Sequence, residues 1–183
     1  MPRPPLARER VLDAFAEIVI DEGERSATLE ATARAAGVSK GGLLYHFGSR
    51  EALIAGLLDR LDILTTLDLE RMTASAEGPV SYYIRTSVME DSALDRALVA
   101  TSRLTQGGST LAADALRDAR QRWEDTIRPH VRDTASLDLV MLLSDGLYFN
   151  NSLDVHGPHR LVPRSHELAD LIALVERTTA PRA

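Results

Sequence analysis

Lys40, Gly41, Gly42, Tyr45, His46 and Arg50 bring two cations, two missing side chains and two ring donors into one short stretch. Cations at helix starts, where the helix dipole disfavours them, answer an anion that comes from elsewhere. Glycines near a helix start cost about 1 kcal/mol each relative to Ala, and the close approach of another surface explains their presence. Thr28 and Ser39 add hydroxyls at the starts of two helices, next to free backbone N–H groups. Phosphate-contacting ends, a nearly bare helix face and a few hydrogen-bonding side chains are what insertion into the major groove of DNA requires.

Other chemistry has weaker support. Of the five histidines, His156 and His159 flank Gly157-Pro158 in a loop with His166 further on, and no carboxylate stands at a recognised ligand spacing, so no metal site is expected. There is no Gly-rich phosphate loop and no nucleophile elbow. No catalytic residue and no cofactor is assigned. Two alternatives stay open: a small-molecule-binding enzyme, and an all-α dimeric interaction protein with no role on DNA, which would leave Lys40, Gly41, Gly42 and Arg50 arbitrary.

The elements that must position these residues are two short helices and a tight turn. Thr28 caps the first, Glu30 lies in its positive first turn, and Leu29, Ala33 and Ala36 recur at helical spacing until Gly37. Gly37 supplies the positive φ of a sharp turn, Val38 plugs the crossing, and Ser39 caps the second helix, held by Leu43, Leu44 and Phe47. The string Val38-Ser39-Lys40-Gly41-Gly42-Leu43-Leu44-Tyr45-His46-Phe47-Gly48-Ser49-Arg50-Glu51-Ala52-Leu53 closely resembles the recognition-helix signature of the tetracycline-repressor (TetR) family of bacterial transcription regulators. The likeness runs over roughly residues 6 to 55. Gly42 stands where the family often has Thr or Ser, and Leu44 where it often has Tyr, so contacts assigned to that tyrosine do not transfer to Leu44.

Around this motif the periodicity predicts an all-α chain of about nine helices. A first helix from about Leu6 to Asp21 buries Leu12, Phe15, Ala16 and Val19, and Gly23 ends it. Ser49 caps a long helix from Arg50 to about Thr73. Further helices are expected over Val80 to Met89, from Asp91 or Ser92 to about Leu104, from Ser109 or Thr110 to about Arg128, from a Ser136 cap to about Leu153, and over about Arg164 to Thr178. The expected division is a three-helix DNA-binding domain, residues 1 to 48, and a helical ligand-binding and dimerisation domain, residues 49 to 183.

The charge of −6 is unevenly spread. Residues 1 to 50 hold seven basic and seven acidic side chains, so the whole excess falls on the remainder. Such asymmetry suits an N-terminal reader of polyanions on an acidic body, provided Arg3, Arg8, Arg10, Lys40 and Arg50 cluster in space. Cysteine is absent and no stretch approaches a signal peptide or membrane span, so a cytoplasmic protein with no membrane partner is expected.

From Leu137 to Phe149 the pattern is apolar on two faces, Val140, Met141, Leu147 and Tyr148 on one, and Leu139, Leu142, Leu143, Gly146 and Phe149 on the other. Both must be covered. With the stripe Leu168, Leu171, Ile172 and Val175 of the last helix, the second face fits a four-helix bundle across a twofold axis, a homodimer. Resemblance to the family, whose members dimerise through their last helices, implies the same. Tyr82, Met89, Arg103, Trp123, Tyr148 and Asn151 are polar or aromatic positions in apolar surroundings and are the expected lining of a small-molecule effector pocket. The function expected is a ligand-responsive regulator, a repressor, that binds a palindromic double-stranded operator.

Overall fold

The computed structural model describes residues 5–88, 91–153 and 161–181. Among them are nine α-helices and no strand: α1 (Pro5–Asp21), α2 (Leu29–Ala35), α3 (Lys40–His46), α4 (Arg50–Ala74), α5 (Pro79–Thr86), α6 (Ala93–Gln106), α7 (Thr110–Ile127), α8 (Thr134–Leu153) and α9 (Ser165–Thr179). No helix among the described residues is long and apolar enough to cross a membrane. The chain forms two compact units, Met1–Thr65 with Ser92–Ala119, and Thr66–Asp91 with Arg120–Ala183. Both α4 and α7 contribute to each unit.

In the first unit α1 packs against α2, α3 and α6. The expected stripe Leu12, Phe15, Ala16 and Val19 is buried, and so are Val11, Ala14 and Ile18. Their side of α1 needs cover as well, and Ala97, Ala100 and Leu104 of α6 belong to the same core. This is why the unit extends beyond residue 48. The helix ends follow their capping chemistry: the Thr28 hydroxyl accepts from the Ala31 N–H at 3.1 Å, Ser39 from Gly42 at 3.0 Å and Ser49 from Ala52 at 3.2 Å. Gly37 has φ +65°, and Gly23 has φ +86°, both left-handed turns where a side chain would be strained.

In the second unit α5 is the centre. Every residue from Pro79 to Ile84 is buried, between α8 and α9. Helix α5 ends at Thr86, three residues before the expected Met89, which lies outside the described residues. Helix α8 also starts earlier than expected: Asp133, not Ser136, is its cap, its carboxylate accepting from the Ser136 N–H at 2.8 Å, while the Ser136 side chain is buried. At the other end of the unit the Arg132 N–H donates to the Thr179 carbonyl at 2.9 Å and ties the start of α8 to the last turn of α9.

Candidate nucleic-acid interface

Helix α3 is held from behind by Leu43 and Phe47, both buried in the core of the first unit. Its other side is solvent-facing. Lys40, Gly41, Leu44 and Tyr45 are exposed, Tyr45 to 83%, and Gly42 and His46 are half-buried beside them. The rings of Tyr45 and His46 meet edge to face, 5.1 Å between centroids, which steadies the aromatic at the rim. Thr28 and Ser39 are exposed at the starts of α2 and α3, where their hydroxyls already serve as caps.

The two cations have different fates. Lys40 Nζ lies 2.5 Å from Glu30 Oε1 in an ion pair exposed on both sides, and this bond lowers the Glu30 pKa. Such a pair contributes little to stability, and the flexible ammonium can be drawn away by a phosphate. Arg50 departs from the expectation of an external anion. Its guanidinium is turned inward, donating to Glu24 Oε1 at 2.8 Å, to the Glu24 carbonyl at 3.1 Å and to the Ala27 carbonyl at 3.4 Å. It ties the connection between α1 and α2 to the start of α4, a demand for donors that the sequence does not display. Of the other arginines, Arg8 lies over the Phe47 ring at 5.2 Å, Arg10 is exposed, and Arg3 lies outside the described residues.

The two glycines also separate. At Gly42 a Cβ would stand 3.2 Å from Ser39 Oγ, the capping oxygen, so the chain itself has a use for this glycine. At Gly41 a Cβ would meet nothing within 4 Å. Leu44, absent from the expected contact set, is 40% exposed on the outward face. Its offset of four from Lys40 is the signal that finds it.

Of the residues expected to line an effector pocket, Tyr82 and Trp123 come together at one carboxylate. Asp68, buried on α4, accepts from Tyr82 Oη at 2.9 Å and from Trp123 Nε1 at 2.9 Å, so the polar atoms of both rings are taken by one carboxylate. The Tyr83 ring lies 5.9 Å from that of Trp123. Burial first, then the hydrogen bond to Asp68, pushes the Tyr82 phenol up to about 12, and burial pushes Tyr83 up to about 12. Tyr148 is half-buried, and Asn151 accepts from Arg164 Nη2 at 2.7 Å. Arg103 is exposed on α6, in the other unit. Met89 lies outside the described residues, as do His156 and His159, while His166 is exposed on α9. A cavity of about 350 Å³ in the first unit is lined by Asp13, Glu17, Leu57, Arg60, Arg96 and alanines of α1 and α6, none of them in the expected set.

Residues 11–57 match the pattern described as "Bacterial regulatory proteins, tetR family". Over that segment the chain resembles bacterial regulatory proteins of the tetR family. It is 40% identical over 70 residues to the HTH-type transcriptional regulator SrpR of Pseudomonas putida, over 35% of this chain and 33% of SrpR, so the match spans about a third of that relative's length. Two solved structures share the fold over nearly the whole chain. One is a protein of Saccharomonospora viridis in complex with choline, with TM-score 0.67 and 20% identity, covering 96% of this chain and 98% of that one. The other is SmeT in complex with triclosan, with TM-score 0.62 and 17% identity, covering 97% and 93%.

The second unit leaves an open face on α8 and α9. Leu139 and Leu142 are exposed on α8, to 42% and 65%, with Leu143 and Gly146 half-buried, while Val140, Met141 and Leu147 face inward. On α9, Leu168, Leu171 and Ile172 are half-buried. Val175 is not part of that surface: it is 4% exposed and belongs to the interior, while Leu174, outside the expected set, is 52% exposed. At its C-terminal end the exposed side of α9 runs through Leu174, one residue round from the expected Val175.

Proposed function

We propose that the chain is a ligand-responsive, cytoplasmic transcription regulator that binds a palindromic operator as a homodimer, represses the adjacent promoter, and is released by a small apolar effector with one or two polar groups. The observation that carries this reading is α3 itself, a capped helix anchored by Leu43 and Phe47, with Lys40, Gly41, Leu44 and Tyr45 turned outward in a segment that matches the tetR pattern. Thr28, Ser39, Gly42 and His46 stand beside that face and complete the surface offered to DNA. Residues 1–48 supply DNA contact and residues 49–183 ligand binding and pairing.

A twofold dimer follows from the exposed Leu139 and Leu142 and the half-buried Leu171 and Ile172, which need a partner surface. Two copies of α3 then address two half-sites about 34 Å apart or more. Release by an effector is supported by the choline and triclosan complexes of proteins with this fold. It needs only two conformations of the dimer that differ in the spacing of the reading helices, and a ligand that favours the one that does not fit successive grooves. Helix α4, which contributes to both units, is the element that carries the coupling.

The test is a mobility shift with DNA from upstream of the chain's own coding region. A specific complex is expected, and Lys40→Ala and Tyr45→Ala should each weaken it without unfolding the protein. Loss of a phosphate contact by Lys40→Ala flattens the salt dependence by about one unit of log slope. Unchanged binding in both variants removes α3 from its role.

A further inference from the structure

Leu44 and Gly41 are three residues apart on the outward side of α3, and neither is explained by the fold. Leu44 leaves an isobutyl group 40% exposed, although the helix is already anchored by Leu43 and Phe47. Gly41 sits in regular helix, where glycine costs about 1 kcal/mol relative to Ala, and a Cβ there would meet no atom of the chain within 4 Å. Neither packing nor backbone geometry calls for a glycine at this point. A surface outside the chain, too near to admit a Cβ, does.

The chemistry of the same face narrows what that surface offers. Beyond Lys40, the exposed positions of α3 hold no side chain that pairs with a base edge through two hydrogen bonds: no Arg, Asn or Gln is present. What remains is the Tyr45 hydroxyl and one apolar knob beside a bare stretch of backbone. In the major groove the apolar group at a base edge is the C5-methyl of thymine, and cytosine presents an amino group but no methyl. Resting on the DNA-binding reading above, we propose that Leu44 determines specificity by packing on a thymine methyl in each half-site, with Gly41 letting the α3 backbone come close enough to make that contact.

The experiment starts by enriching duplexes from a random pool with the purified full chain. Failure to enrich any sequence overturns the DNA-binding reading and this inference with it. An enriched half-site that contains no thymine overturns the inference alone. Where thymines are present, each is replaced in turn by deoxyuridine, which lacks only the methyl, and affinity is measured for the native protein and for Leu44→Ala. The substitution is at an exposed site, and equal thermal unfolding of the two proteins checks the fold. At one position per half-site the native protein should lose about fourfold, the equivalent of ~0.8 kcal/mol for one buried methyl. Leu44→Ala should bind the thymine duplex more weakly and be indifferent to uridine there. Equal loss in both proteins assigns the effect to DNA shape and overturns the proposal, as does indifference of the native protein at every thymine.

Discussion

The ring of Phe47 lies so close to Gly56 that a Cβ on Gly56 would stand 2.6 Å from Phe47 Cε1 and 3.2 Å from Leu12 Cδ2. Phe47 follows the last residue of α3, and Gly56 is buried in the second turn of α4, so this contact seats the end of α3 on its support. In an exposed helix Gly→Ala stabilises by about 1 kcal/mol. Here the sign should reverse. Gly56→Ala must displace an aromatic ring rather than the end of a flexible chain, and a loss of about 1–3 kcal/mol is expected in denaturant unfolding.

Arg50 is expected to behave as a structural residue. Removing either it or Glu24 leaves the other partner of a half-buried ion pair without its match, at a cost of about 1–3 kcal/mol. The double variant should lose less than the sum of the single ones, and a double-mutant cycle in denaturant measures the difference. At temperatures where Arg50→Ala is fully folded, its DNA affinity should match that of the native chain.

Alkaline pH should unfold the second unit through its tyrosines. Tyr82 and Tyr83 both titrate near 12 in the folded chain against an ordinary value of 10.0. The unfolded chain therefore loses these protons first as pH rises. Their contribution is intact below about pH 10 and falls between 10 and 12, by about 1.4 kcal/mol per unit and per group. Thermal unfolding followed through Trp123 fluorescence should show this slope, and Tyr82→Phe should remove about half of it.

The residues expected at a dimer interface divide by burial. Leu142→Glu places a charge on the exposed α8 face and should convert a dimer to a folded monomer, because the charge must otherwise be desolvated without a partner. Val175→Glu places the same charge in the interior and should unfold the unit instead. Sedimentation velocity together with circular dichroism distinguishes the two outcomes.

What the sequence made legible was local. Caps at Thr28, Ser39 and Ser49, the positive φ at Gly37 and the two faces of α8 are all written within a few residues of where they act. The inward turn of Arg50 depends on Glu24, and the fate of Trp123 depends on Asp68, and both pairings join positions far apart in the chain. Gly41 and Gly42 are adjacent and of the same type, yet only the space around each tells that one relieves a cap and the other faces outward. Val175 falls inside for a related reason: one position on a helix turns a side chain by about 100°, enough to carry it from surface to core.

Gly41→Ala tests the central claim most directly, because stability and DNA binding should move in opposite directions. The added methyl meets no atom of the chain, so the protein should unfold at a higher denaturant concentration, by up to about 1 kcal/mol. If α3 enters a groove with its bare face leading, the same methyl should weaken operator binding at least tenfold in a fluorescence anisotropy titration. A variant that is more stable and binds the operator as tightly as the native chain would contradict the assignment of that face to DNA.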